Sequence, residues 1–136
     1  KSLCKYGIEP KILIEPLMRE ELNKDQIKIN VYCFNGAAKI YIKFFDDNKM
    51  SIWDENLKPM DNIFNFQEEN IDSEIDDYIN QIIVLSKQLS KDFSFVRVDW
   101  MIYNNKPYFE ELTFTPYSGF IKFEKKWNLK LGSFIK

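Results

Sequence analysis

Apolar positions fall in short runs over most of the chain, and only one stretch repeats them at helical spacing. Ile71, Ile75, Tyr78, Ile79, Ile82, Leu85 and Leu89 form an apolar stripe three and four residues apart. That stripe predicts an amphipathic helix over Ser73–Ser90. Ser73 is the expected N-cap, and Asp76 would lie in the first turn, where negative charge suits the helix dipole. The other runs are β-like. Ile27 to Phe34 and Ala38 to Phe45 flank Asn35-Gly36, a pair that readily takes the positive φ of a type I′ turn, so a hairpin is expected. Lys11 to Leu17 reads as a short strand through Ile12-Leu13-Ile14, closed by Glu15-Pro16. Proline cannot donate to a ladder and holds its predecessor extended. Asp46 to Asn70 reads as irregular apart from a short strand at Met50–Trp53. Phe93 to Tyr103 and Pro107 to Thr113 read as strands joined across Asn104-Asn105, and the tail from Thr115 as loop with aromatic anchors and a short terminal helix. The order predicts an α+β fold, a mostly antiparallel sheet with one main packed helix.

Composition narrows the chemistry. The 136 residues suit one domain, and 19 Lys and Arg against 21 Asp and Glu leave a net charge of −2. A nucleic-acid partner would call for a basic excess. No apolar run approaches the roughly 20 residues of a membrane span. No apolar core follows Lys1-Ser2-Leu3-Cys4-Lys5, so a signal peptide is not expected and the cytoplasm is the default location. The sequence has no His, which excludes a Ser-His-Asp triad and every His-containing zinc site. Cys4 and Cys33 are too few for a Cys4 site or a disulfide framework and read as small apolar residues. Catalysis must therefore rest on carboxylates, Lys, Arg, Tyr or a metal. Only Arg19 and Arg97 depart from an otherwise all-Lys basic set, and Arg97 lies inside an apolar segment.

The segment around Arg97 is the informative one. On a strand, Arg97 and Asp99 share a face while Val96, Val98 and Trp100 take the other. On the next strand Glu111 and Thr113 share a face, with Glu110 and Leu112 opposite. A two-residue turn at Asn104-Asn105 would set Asp99 across from Glu110. An odd loop, such as Asn104 to Lys106, would set it across from Glu111. Either way two carboxylates come within about 5 Å between Cβ atoms. Like charges so placed repel unless a cation or proton lies between them, and Mg²⁺ commonly takes one or two carboxylates plus phosphate oxygens. The same spacing also fits a solvated sheet face on which Arg97 and Asp99 find other partners.

Phe95-Val96-Arg97-Val98-Asp99, followed by Glu111-Leu112-Thr113-Phe114-Thr115-Pro116-Tyr117-Ser118-Gly119-Phe120, resembles the C-terminal signature of the ATP-grasp superfamily. The version it looks like is the TupA-like family, associated with teichuronopeptide and cell-surface polysaccharide biosynthesis in bacteria. Pro10 to Glu15 is similar to that family's hinge strand, Tyr32-Cys33-Phe34-Asn35-Gly36 to its hairpin, and Trp127 to Gly132 to its closing segment. The resemblance covers nearly the whole chain. It implies ATP and Mg²⁺ as cofactors, Asp99 and Glu111 as metal ligands, and Thr113 where many relatives carry a third ligand, usually Asn. It places Arg97 at the transferring phosphate, which a planar, permanently charged fork suits better than Lys does. Glu15, Leu17 and Met18 fall on the adenine-holding hinge, and Asp25, with Glu20 and Glu21, is a candidate for the ribose hydroxyls. The implied activity is carboxylate–amine ligation of a sugar acid or amino acid.

The sequence departs from the family at two points. Lys28-Ile29-Asn30 stand where relatives often carry Asp-Tyr-Lys. The glycine-rich phosphate loop and the lysines of the preceding strand are expected before residue 1, since Gly7, Gly36, Gly119 and Gly132 do not cluster. The chain, residues 1–136, thus reads as the C-terminal portion of an ATP-grasp domain, with self-association or an upstream segment covering apolar surface. The alternative is a degenerate, non-catalytic binding module for carbohydrate or a protein partner, with Trp53, Trp127 and Tyr117 available to stack on sugar rings.

Overall fold

The computed structural model describes residues 12, 14, 27–45, 48–65 and 69–135. Six strands, β1 (Lys28–Phe34), β2 (Ala37–Phe45), β3 (Lys49–Asp54), β4 (Glu69–Asn70), β5 (Phe95–Tyr103) and β6 (Lys106–Thr113), form one sheet in the order β4-β3-β2-β1-β5-β6. Every pairing is antiparallel except β3 with β4. Helix α1 (Ile79–Ser90) covers one face and α2 (Lys125–Phe134) the other. The expected α+β architecture is present, with α2 as the short terminal helix. Ile12 and Ile14 stand exposed outside any strand, and the rest of the Lys11–Leu17 strand lies outside the described residues.

Strand alternation sorts the apolar side chains into two cores. Ile29, Val31, Val96, Val98 and Trp100 face α1 and meet Tyr78, Ile79 and Ile82. The Trp100 indole N–H is satisfied there by the Ser86 hydroxyl at 2.9 Å. Tyr32, Phe34, Ile40, Ile42 and Ile52 face the other way, against Phe64, Phe123 and Leu131. Each large aliphatic or aromatic side chain so buried contributes about 1.5–3 kcal/mol.

Helix α1 begins at Ile79, not at Ser73. Tertiary contacts claim the residues before it. The Ile71 N–H donates to the Met50 carbonyl at 2.8 Å, which holds the segment after β4 at the sheet edge. The Asp76 carboxylate accepts from Lys43 Nζ and from the Tyr78 hydroxyl, both at 2.6 Å. Lys43 is only 6% exposed, and a buried ammonium without a partner costs far more than a missing helix cap. Ser73 caps nothing, and its hydroxyl is buried without a hydrogen bond.

Both hairpins turn in two residues. Asn35 and Gly36 have φ of 50° and 77°, and Asn104 and Asn105 have 49° and 56°, the positive pair a type I′ turn requires. The odd loop of the second hairpin does not occur. A β-bulge takes its place: Trp100 pairs with Phe109 but Asp99 with Glu111, so Glu110 is the extra residue.

Candidate functional site

The bulge decides which carboxylates meet. It brings Glu111 opposite Asp99 in spite of the tight turn. It also breaks alternation, because a bulge turns two successive side chains to one side of the sheet. Phe109 packs edge-on against Trp100 and Leu112 joins the α1 core, so both flank the pair from the far face. Glu110, expected on that far face, instead shares the Asp99 face. There it accepts from Lys28 Nζ at 2.9 Å across β5.

Two transverse rows result. One is Asn30–Asp99–Glu111 and the next is Tyr32–Arg97–Thr113, each running across β1, β5 and β6. Arg97 and Asp99 are 9% and 3% exposed. The guanidinium grips the carboxylate with a fork, Nε to Oδ1 at 2.7 Å and Nη2 to Oδ2 at 2.6 Å. The Thr113 hydroxyl lies 2.9 Å from Asp99 Oδ2, 3.0 Å from Glu111 Oε1 and 3.3 Å from Arg97 Nη2. The Tyr117 ring lies over the guanidinium, 5.8 Å from Cζ to centroid.

Burial pushes the Asp99 carboxyl above the usual carboxylate range, against the downward pull of Arg97 and Thr113, and Glu111 adds to the rise. Burial works against the Arg97 charge, but Asp99, with a smaller contribution from Tyr32, outweighs it and holds the guanidinium above its ordinary value. Burial likewise raises the Tyr32 hydroxyl, with Arg97 opposing.

Arg97, Asp99, Glu111 and Thr113 are thus brought together. Glu15, Leu17, Met18 and Asp25, with Glu20 and Glu21, lie outside the described residues. Tyr32, Asn30 and Tyr117 complete the site and were not singled out for it. Pairing β1 beside β5 would have put Tyr32 next to Arg97, but the sequence alone does not announce that neighbour. Trp53 is buried in the α1 core, so it cannot stack on a sugar. Trp127 is half-buried and Tyr117 half-exposed.

The residues fit a divalent cation by their lone-pair count. Thr113 has one hydroxyl proton facing two carboxylates, so one of those contacts lacks a hydrogen. Asp99 and Glu111 retain acceptor sites beyond the Arg97 fork, and Thr113 adds a neutral oxygen. Among the described residues no group of three or more His, Cys, Asp or Glu could hold a metal, and this pair with Thr113 is what they offer a cation.

The chain belongs to the TupA-like ATPgrasp family, whose model matches residues 4–136. No curated protein and no solved structure matches the chain. No described helix is long and apolar enough to cross a membrane.

Proposed function

We propose that this site serves an ATP-dependent carboxylate–amine ligase working in the cytoplasm on cell-surface polysaccharide or teichuronopeptide precursors. The terminal phosphoryl group of ATP would pass to a substrate carboxylate oxygen, with the bond to ADP breaking as the new P–O bond forms. An amine would then attack the acyl carbon and expel inorganic phosphate. Mg²⁺, held by Asp99 and Glu111 with Thr113 beside them, would offset charge on the phosphate oxygens. Arg97 orients and neutralises the same oxygens through donors not spent on Asp99. Glu15, Leu17, Met18 and Asp25 are the proposed nucleotide contacts, and residues 1–136 the C-terminal portion of the domain. A sugar acid or an amino acid is the proposed carboxylate.

The observation that supports this reading best is the bulge, which sets Glu111 against Asp99 beside a buried arginine. The test is heat protection by Mg-ATP at millimolar nucleotide, in this chain and in a longer one carrying the upstream strand. Protection in either supports the ligase. Protection in neither sinks it and leaves the non-catalytic module.

A further inference from the structure

Beside Arg97 a cavity of about 330 Å³ opens between the sheet face, the turn after β6 and α2. Its walls include Phe34, Phe95, Ile121, Phe123, Leu131 and Ile135. The volume is at the lower end for a small-ligand pocket. Cavity and site adjoin. Tyr32 lines the cavity and stands directly across from Arg97 in the β1–β5 pairing. Thr115, Pro116 and Gly119 also line it, and between them Tyr117 reaches out over Arg97. Tyr117 and Ser118 are both left-handed, with φ of 51° and 55°, a strained backbone for residues with a Cβ. Backbone strain of this kind clusters where a ligand is held. Gly132 lines the far side, and a Cβ added there would meet no atom within 4 Å.

We infer that this cavity takes the apolar body of the carboxylate substrate, an aromatic or branched aliphatic group, with its carboxylate directed to Arg97. The inference rests on the ligase reading and narrows its substrate class. Arg97 has five N–H donors. Those on Nε and Nη2 go to Asp99 and Thr113, leaving the Nη1 pair for a phosphate oxygen and a substrate oxygen. A hydroxylated sugar body would leave several hydroxyls against apolar walls without hydrogen-bond partners, which disfavours binding. The cavity therefore favours an acid with an apolar side chain over a sugar acid.

The test uses the full chain without nucleotide and follows the ¹⁹F signal of 4-fluorophenylacetate on titration. Saturable binding is expected, with 4-fluorophenylacetamide weaker by about tenfold because it lacks the charge that Arg97 recognises. Gly132→Ala leaves room and should bind like the parent. Gly132→Leu fills the cavity, improves helix propensity, and should lose about tenfold or more in affinity. Equal affinity of the amide overturns the Arg97 end. Unchanged binding by Gly132→Leu, or tighter binding of glucuronate than of 4-fluorophenylacetate, overturns the cavity end. Since no ATP is present, binding without any Mg-ATP protection would sink the ligase and leave the cavity site standing. Glucuronate-dependent ATP turnover without 4-fluorophenylacetate binding would do the reverse.

Discussion

The first hairpin, β1–β2, and the last, β5–β6, share a two-residue left-handed turn and a single bulge, yet they present different chemistry. In the first, Tyr32 pairs with Ile40 and Cys33 with Ala38, so Lys39 is the extra residue. Its ammonium lies over the Phe134 ring and pairs with Glu55, which closes the edge of an apolar core. In the last, the extra residue is Glu110. It adds a third carboxylate to the face that holds Asp99 and Glu111, and Lys28 neutralises it. One backbone device ends in packing at one edge and in a charged row at the other. The difference lies in what each bulge meets. Lys39 is met by Phe134 and Glu55, whereas Glu111 is met by Asp99 already forked to Arg97.

The largest effect expected is on the last hairpin. Arg97→Met leaves Asp99 buried without its cation and should cost about 3–5 kcal/mol, read as a lower urea midpoint. Asp99→Asn should lose stability for the mirror reason, since it orphans the guanidinium. A stability loss below about 1 kcal/mol in both variants would mean the fork is not closed in solution.

Next is the contrast within the bulge, measured as Mg²⁺-dependent ATP turnover in a chain that includes the upstream strand. Glu111→Gln should fall by about 10²-fold, the scale of losing one group aimed at developing charge. Glu110→Gln should change turnover little, because it breaks an exposed ion pair worth about 0–1 kcal/mol. The opposite ranking would show that the bulge does not set the register.

The turns separate the hairpins more gently. Gly36 has φ +77°, and a Cβ there would sit 3.1 Å from Lys91 Cα. Gly36→Ala should cost about 1–2 kcal/mol, while Asn105→Gly should stabilise by about 0.5 kcal/mol through relief of the same left-handed strain. Thermal midpoints moving in the same direction would contradict the type I′ assignment of one turn.

The smallest effect concerns the dry face of the first hairpin. Burial pushes the Cys33 thiol up to about 11. In a Cys4→Ser background it should resist alkylation at pH 8 until the chain is unfolded. The folded thiol holds its proton more tightly than the unfolded one. Its contribution to stability is thus complete below about pH 9 and disappears as pH rises toward 11. Cys33→Ala should flatten that part of the stability curve, and fast alkylation of the folded chain would refute the burial.

The two hairpins were legible because their turns and alternation are local. Asn35-Gly36 and Asn104-Asn105 sit between β-rich runs, and the Arg97/Asp99 and Glu111/Thr113 pairs follow from a two-residue period. The start of α1 was not. Six residues with a fair N-cap and a helical stripe were drawn to the sheet edge and to Lys43, whose burial no local pattern reveals. Tyr32 was legible as part of a hairpin motif but not as a partner of Arg97, since that contact joins strands far apart in sequence.

By itself the sequence determined the α+β class, the strand runs, the turn chemistry and the set of acidic and basic residues available. These depend on backbone preferences and on which side chains are present, both local properties. The tertiary structure decided the register of the last hairpin. A two-residue turn alone predicts Glu110 opposite Asp99. Instead, Phe109 packs against Trp100 and Leu112 joins the α1 core, and both can face that core only if one residue between them is bulged out. The burial of apolar side chains on the far face therefore aligns the carboxylates on this one.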